Sequence, residues 1–218
     1  MPSGPNAQQA PEAPSWRNRA FFFCHCLVLM PILRVLLAVR SRGLRPTTDR
    51  NGVILAPNHQ SWIDAYMVQY AFYPHQITFL MTELYYDLPV IGLYFRATGA
   101  RVVREKGPSV AGLRAARELL EEGRNICLFP EGEITTDGTL GPGQRGVARL
   151  ARRTGAKVVP IAIRGAIRVW SRLQRRPRRR PVEVRFGRPM RYDESDDRAG
   201  ELAFTARLMD AIRHLAEG

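Results

Sequence analysis

His59 and Asp64 lie five residues apart in the run Ala56-Pro-Asn-His59-Gln-Ser-Trp-Ile-Asp64. An imidazole is the commonest general base in proteins, and a carboxylate on its second ring nitrogen sets its tautomer and orientation. The flanking chain says where such a pair would sit. The apolar run Gly52-Val-Ile-Leu-Ala56 stops at Pro57, and an amphipathic stretch from Trp62 to Phe72 begins just beyond, so the spacing predicts a strand, a loop bearing His59, and a helix. Residues five apart on a continuous helix diverge, so these two side chains meet only if the backbone turns between them, as a loop entering a helix does. A second reading uses the same residues: Ser61-Trp-Ile-Asp64 fits an S-x-x-D capping box, with the carboxylate reaching back to a free N–H group. Both readings stand on this window alone.

The chemistry that fits the pair is removal of a hydroxyl proton by His59, with Asp64 stabilising the imidazolium that forms. No Gly-x-Ser-x-Gly elbow occurs in the chain. Cys24 and Cys26 fall in an apolar segment and Cys127 in a predicted buried strand, so no nucleophile suggests a covalent intermediate. Direct attack by an acceptor hydroxyl follows. Backbone N–H groups at the start of the helix after His59 are candidates for stabilising an oxyanion.

Three further patterns lie downstream: Gly99-Ala-Arg-Val-Val-Arg104, Phe129-Pro-Glu131-Gly132-Glu133 and Val159-Pro-Ile161. With His-x4-Asp, in this order, they resemble the four sequence blocks of the glycerolipid acyltransferase family, which includes bacterial 1-acylglycerol-3-phosphate acyltransferases. The resemblance covers about residues 50 to 165. It implies that His59 is the general base and Asp64 its partner, that Arg104 contacts an acceptor phosphate, and that Glu131 and Gly132 shape the acceptor site. It further implies an acyl-CoA or acyl carrier protein donor as co-substrate, a lysophospholipid-type acceptor, and neither a metal nor another cofactor. The third block commonly continues Thr-Arg-Ser, whereas this chain has Glu133-Ile-Thr135, and a usual lysine is replaced by Thr82. Lysophosphatidate and zwitterionic lysophospholipids both remain open as acceptors.

Positioning these residues requires alternating elements. Strands are predicted at 52–56, 76–81, 100–104, 125–129 and 157–163, with helices at 62–72, 84–97, 108–122 and 144–154 between them, and His214 in a last helix. That alternation predicts an α/β fold with a largely parallel central sheet flanked by helices, preceded by a membrane-associated helical segment. Sites in such sheets lie beyond the carboxyl ends of the strands, where His59, Arg104 and Glu131 all fall.

The N-terminal fifth differs in character. Residues 1–19 read as a disordered tail, 20–42 as an apolar segment associated with a membrane, and 43–218 as one catalytic domain. Arg34 and Pro31 inside the segment, and arginines on both sides of it, favour a bent, one-sided insertion over a clean span. The formal charge of +13 is unevenly spread, with seven arginines between Arg168 and Arg180. An anionic membrane surface is the expected partner for that run, at the cytoplasmic face of a bacterial inner membrane. Two rival classes use the same residues. A metal-dependent hydrolase would draw on His59 with Glu131, Glu133 and Asp137, and a nucleic-acid-binding protein would use the arginines, although no helix-turn-helix, finger or RNA motif accompanies them.

The arginine expectation is directly measurable. Arg104→Ala is expected to raise the acceptor KM with little change in donor KM, and Arg104→Lys to rescue it incompletely, because a guanidinium makes two parallel bonds to a phosphate where an ammonium acts as a point charge. A collapse of donor affinity instead would move Arg104 to the thioester side.

Overall fold

In the computed structural model the described residues are 27, 31, 38–43, 52–82, 100–103 and 110–218. The strands are β1 (Arg40–Arg42), β2 (Val53–Pro57), β3 (Ile77–Thr82), β4 (Arg101–Val103), β5 (Asn125–Cys127), β6 (Lys157–Arg164) and β7 (Glu183–Phe186). The helices are α1 (Asp64–Phe72), α2 (Val110–Glu121), α3 (Gly146–Thr154), α4 (Ala166–Trp170) and α5 (Arg198–Glu217). They build one sheet of order β1-β7-β6-β2-β5-β3-β4, in which β6 and β7 pair antiparallel and every other pair is parallel. The expected α/β architecture with helices on the sheet is therefore present.

The five strands expected from apolar runs correspond to β2 through β6. The two at the far edge were not legible. β1 is Arg-Ser-Arg and β7 alternates half-buried and buried residues, so neither carries the continuous apolar signal of a central parallel strand. The expected helix at 84–97, Arg104, the tail 1–19 and most of the apolar segment lie outside the described residues. Among the described residues, no helix is long and apolar enough to cross a membrane.

Strand alternation divides the core into two layers. Val53 and Leu55 of β2 face one side with Val159, Ile161 and Ile163 of β6, and there they meet Met67, Val68, Ala71 and Phe72 of α1 and Ala166 and Val169 of α4. Ile54 and Ala56 face the other side with Val158, against Leu119 and Leu120 of α2, Val147 and Leu150 of α3, and Phe204, Leu208 and Ile212 of α5. β2 is buried along its whole length because helices cover both faces.

Since β2, β5 and β6 run the same way, the loops that follow them emerge at one edge: residues 58–63, 128–145 and the chain after Arg164. Pro57 has no N–H to give, yet β2 stays paired with β6 past it, because Asn58 N–H donates to Ile161 O at 3.4 Å. Asn58 extends the pairing further with its side chain. Its Nδ2 donates to Ile163 O at 3.1 Å, its Oδ1 accepts from Ile163 N at 2.6 Å, and the residue is 2 % exposed. A side-chain amide carries the same donor and acceptor as a peptide group, which suits asparagine to this splice.

Asn58→Ala leaves the N–H and C=O of Ile163 buried without partners. It is expected to cost about 2–4 kcal/mol of stability, read as a lowered denaturant midpoint with unchanged slope. A loss under about 0.5 kcal/mol would mean that the splice bears no load.

Candidate active site

The loop from β2 into α1 folds around one carboxylate oxygen. Asp64 Oδ2 accepts the N–H of Gln60 at 2.6 Å, the N–H of Ser61 at 2.7 Å and a bond from His59 Nδ1 at 3.0 Å. Asp64 is 0 % exposed. The two readings of the sequence are thus one structure, because the carboxylate that satisfies backbone N–H groups ahead of the helix also holds the imidazole. Ser61 keeps the reciprocal pattern of the expected cap, its N–H on Asp64 and its Oγ on the N–H two residues on, and adds a tie to α4. Its Oγ donates to Trp170 O at 2.6 Å and accepts from Ile63 N at 3.3 Å, and the helix begins only at Asp64.

With a carboxylate on Nδ1, that nitrogen carries the proton and Nε2 presents a lone pair. The ring plane is set by Phe129, stacked at 3.7 Å between centroids and 16° between planes. Behind the ring, burial pushes the Cys127 thiol up, and the Asp64 carboxylate pushes it further. It is therefore kept as a neutral thiol, unsuited to nucleophilic attack.

Glu131 braces the same loop from β5. One of its carboxylate oxygens accepts His59 N–H at 2.7 Å and the other accepts Gly141 N–H at 2.9 Å, with the residue 8 % exposed. Burial, the largest influence, raises its carboxyl above the usual range, while these two donors pull it back. Both oxygens being occupied, Glu131 is a strut between the His59 loop and residue 141. Gly132 has φ +81, and a Cβ there would fall 2.3 Å from the Gln144 amide nitrogen, whose own bond runs to Glu131 O at 3.1 Å. Only glycine fits that turn without displacing Gln144. Thr135 N–H to His59 O at 2.9 Å and Gln60 Nε2 to Gly138 O at 3.1 Å close the two loops onto each other.

The structure thus brings His59, Asp64, Glu131 and Gly132 together, while Arg104 lies outside the described residues. β4, which ends at Val103, stands three strands from β2, roughly 14 Å across the sheet. The expected oxyanion donors are not found among the N–H groups of the loop into the helix. The N–H groups of residues 58 to 64 are all given away, to Ile161 O, Glu131, Asp64 twice, Trp170 O, Ser61 Oγ and Ser61 O. None is left to meet an oxyanion. The acidic residues also do not converge as a metal hydrolase would need. Glu133 is exposed and pairs with Arg172 at 3.9 Å, and Asp137 is held down to about 2 by the N–H and hydroxyl of Thr139 and the hydroxyl of Thr135. Among the described residues, no three His, Cys, Asp or Glu side chains gather as a metal site.

A family model described as Acyltransferase matches residues 38–164, more than half of the chain and all of this edge from β2 to β6. The chain belongs to the acyltransferase family. It is 32% identical over 122 residues to the chloroplastic 1-acyl-sn-glycerol-3-phosphate acyltransferase of Brassica napus, a match covering 55% of this chain and 35% of that one. It is 26% identical over 138 residues to the 1-acyl-sn-glycerol-3-phosphate acyltransferase of Bacillus subtilis, covering 61% and 68%. The match thus spans about a third of the plant relative and two thirds of the bacterial one. The crystal structure of the 1-acyl-sn-glycerophosphate acyltransferase of Thermotoga maritima shares the fold, with a TM-score of 0.70 at 19% identity over 90% of this chain and 86% of that one.

Several residues that make this acyltransferase-family site were missed in the sequence. Phe129 had a usable signal, since period-two alternation from Cys127 puts it on the α1 side of the sheet, where His59 stands. Trp170, whose carbonyl anchors Ser61 from 109 residues away, had none.

Asp64 generates a stability prediction. Burial raises its carboxyl pKa above the ordinary 3.8, so the folded state binds this proton more readily than the unfolded one. The associated stability is present below that value and is lost as pH rises through the folded pKa. Asp64→Asn, neutral throughout, escapes that loss, so its Tm at neutral pH is expected to equal or exceed the parent's. A Tm several degrees lower would show that the ionised carboxylate is a net stabiliser.

Proposed function

We propose that this chain is a membrane-associated O-acyltransferase that moves a fatty acyl group from an acyl-CoA or acyl carrier protein thioester to the hydroxyl of a lysophospholipid-type acceptor such as 1-acylglycerol 3-phosphate. The observation that carries the reading is the 3.0 Å contact between His59 Nδ1 and Asp64 Oδ2 on the β2–α1 loop, in a chain of the acyltransferase family. The names of the Brassica napus and Bacillus subtilis relatives support the acceptor class.

In this mechanism the acceptor hydroxyl gives its proton to His59 Nε2 as its oxygen attacks the thioester carbonyl carbon. The tetrahedral oxyanion collapses, the carbon–sulfur bond breaks, and the departing thiolate takes the proton back from the imidazolium. Asp64 holds the tautomer and offsets the transient positive charge, and Phe129 keeps the ring plane. Glu131 acts through the backbone of His59, and Arg104 is the proposed phosphate contact. With Glu133 after the glycine, a zwitterionic headgroup is as compatible as a phosphate monoester. A thioester donor made inside the cell and the arginine-rich run support a location at the cytoplasmic face of a bacterial inner membrane.

The test is incubation of the purified protein in detergent with a panel of lysolipids and both donor classes, with products identified by mass spectrometry. His59→Ala is expected to lower turnover by about 10²–10⁴-fold while the protein still melts cooperatively. Full activity in that variant would overturn the mechanism, and turnover of no lipid by the parent would overturn the function.

A further inference from the structure

We propose that the chain between α4 and β7, together with Trp62 of the His59 loop, is a docking face that seats the site on an anionic lipid surface. This deepens the acyltransferase reading and rests on it for the location of the substrate. The observations on the loop are independent of that reading.

No aspartate or glutamate occurs between Asp137 and Glu183, whereas Arg172, Arg175, Arg176, Arg178, Arg179 and Arg180 are all exposed. Among the described residues, Arg175, Arg176, Arg178 and Arg180 form no ion pair, in contrast to Arg145, Arg149 and Arg152, which surround the buried Glu201. These four cations are therefore not spent on ion pairs within the fold. At its tip stands Leu173, 76% exposed, and on the neighbouring loop Trp62, 37% exposed. An aliphatic side chain and an indole among guanidinium groups form the amphipathic set that inserts at a headgroup boundary, apolar tip inward and cations toward phosphates.

The loop is also built rather than loose. Gln174 N–H donates to Ser171 O at 3.1 Å, Trp170 Nε1 donates to Gln174 O at 3.2 Å, and Arg178 N–H donates to Val169 O at 2.7 Å. These bonds hold the turn that projects Leu173. The same segment grips the His59 loop. Trp170 O accepts both Ser61 Oγ at 2.6 Å and Trp62 N–H at 3.4 Å, and Arg172 lies 3.9 Å from Glu133. A surface that docks through this segment therefore lies beside the edge that carries His59, where an acceptor leaving the bilayer has the shortest path to the base. An exposed leucine is better matched by acyl chains than by the stacked bases and sugar-phosphate of a nucleic acid.

The test is flotation of the full chain with phosphatidylcholine vesicles, with and without phosphatidylglycerol, over a salt series. Each arginine near an anionic surface is worth about fivefold in partitioning. Replacing Arg175, Arg176, Arg178 and Arg180 together by Gln is therefore expected to cut binding to the anionic vesicles by about 100-fold or more, leave neutral vesicles nearly unaffected, and flatten the salt dependence. Leu173→Asp is expected to weaken binding to both kinds, by about tenfold. Circular dichroism melts of both variants, whose changes are on exposed side chains, should match the parent. An unchanged preference for anionic vesicles in the fourfold variant overturns the proposal, as does a loss confined to binding of an RNA oligonucleotide. Turnover of water-soluble short-chain lysophosphatidate and lysophosphatidylcholine by the parent is measured apart, without vesicles. Its absence would remove the acyltransferase reading and leave the flotation result to decide the docking face.

Discussion

A carboxylate with no exposure to water is costly to keep, and Asp64 is kept because one of its oxygens is met by two backbone N–H groups and an imidazole. It also lies at the first residue of α1, where the helix dipole favours negative charge. Those same bonds wrap the chain from His59 to Ser61 around the carboxylate. The bend of the loop, the start of the helix and the tautomer of the histidine are thus consequences of one buried anion. Its other oxygen is buried without a partner among the described residues, so the whole demand of the charge falls on the side that faces His59.

The remaining structure brings other chain segments to that loop. Parallel alignment of β2, β5 and β6 puts three loops at one edge, and each contributes a different constraint on His59. β5 supplies Phe129 against the ring and Glu131 on the N–H, and the chain after β6 supplies Trp170 O on the neighbouring Ser61. Asn58 carries the pairing of β2 with β6 past Pro57, through its N–H and then its side-chain amide. With every N–H of residues 58 to 64 committed, the loop has little freedom left, and its open chemistry is reduced to Nε2 of one histidine.

Charge is divided by the fold in a way composition conceals. Arg145, Arg149 and Arg152 hold α3 to α5 through Glu201, and Glu183 collects Arg42, Arg164 and Arg185 at the far edge of the sheet. Those guanidinium groups are structural. The excess that remains is concentrated between α4 and β7, beside the candidate site, where no carboxylate occurs in the sequence to neutralise it.

The sequence by itself determined what depends on near neighbours. Apolar runs specified β2 to β6, helical periodicity specified α2 and α3, and His59 and Asp64 stood at a spacing that a turning backbone closes. Strands β1 and β7 escaped because runs of three or four residues with charged members are too short to be told from loop, and they exist as strands only through their partners. Only the tertiary structure decided that one carboxylate both receives the backbone N–H groups and orients the His59 imidazole. It also decided that Glu131 is a strut and that the N–H groups nearest the base are already taken. These are contacts between residues 72 and 109 positions apart, such as His59 with Glu131 and Ser61 with Trp170. Local preference says which element a residue joins, whereas the partner of a buried polar group is chosen by whatever the packed sheet brings within hydrogen-bond reach.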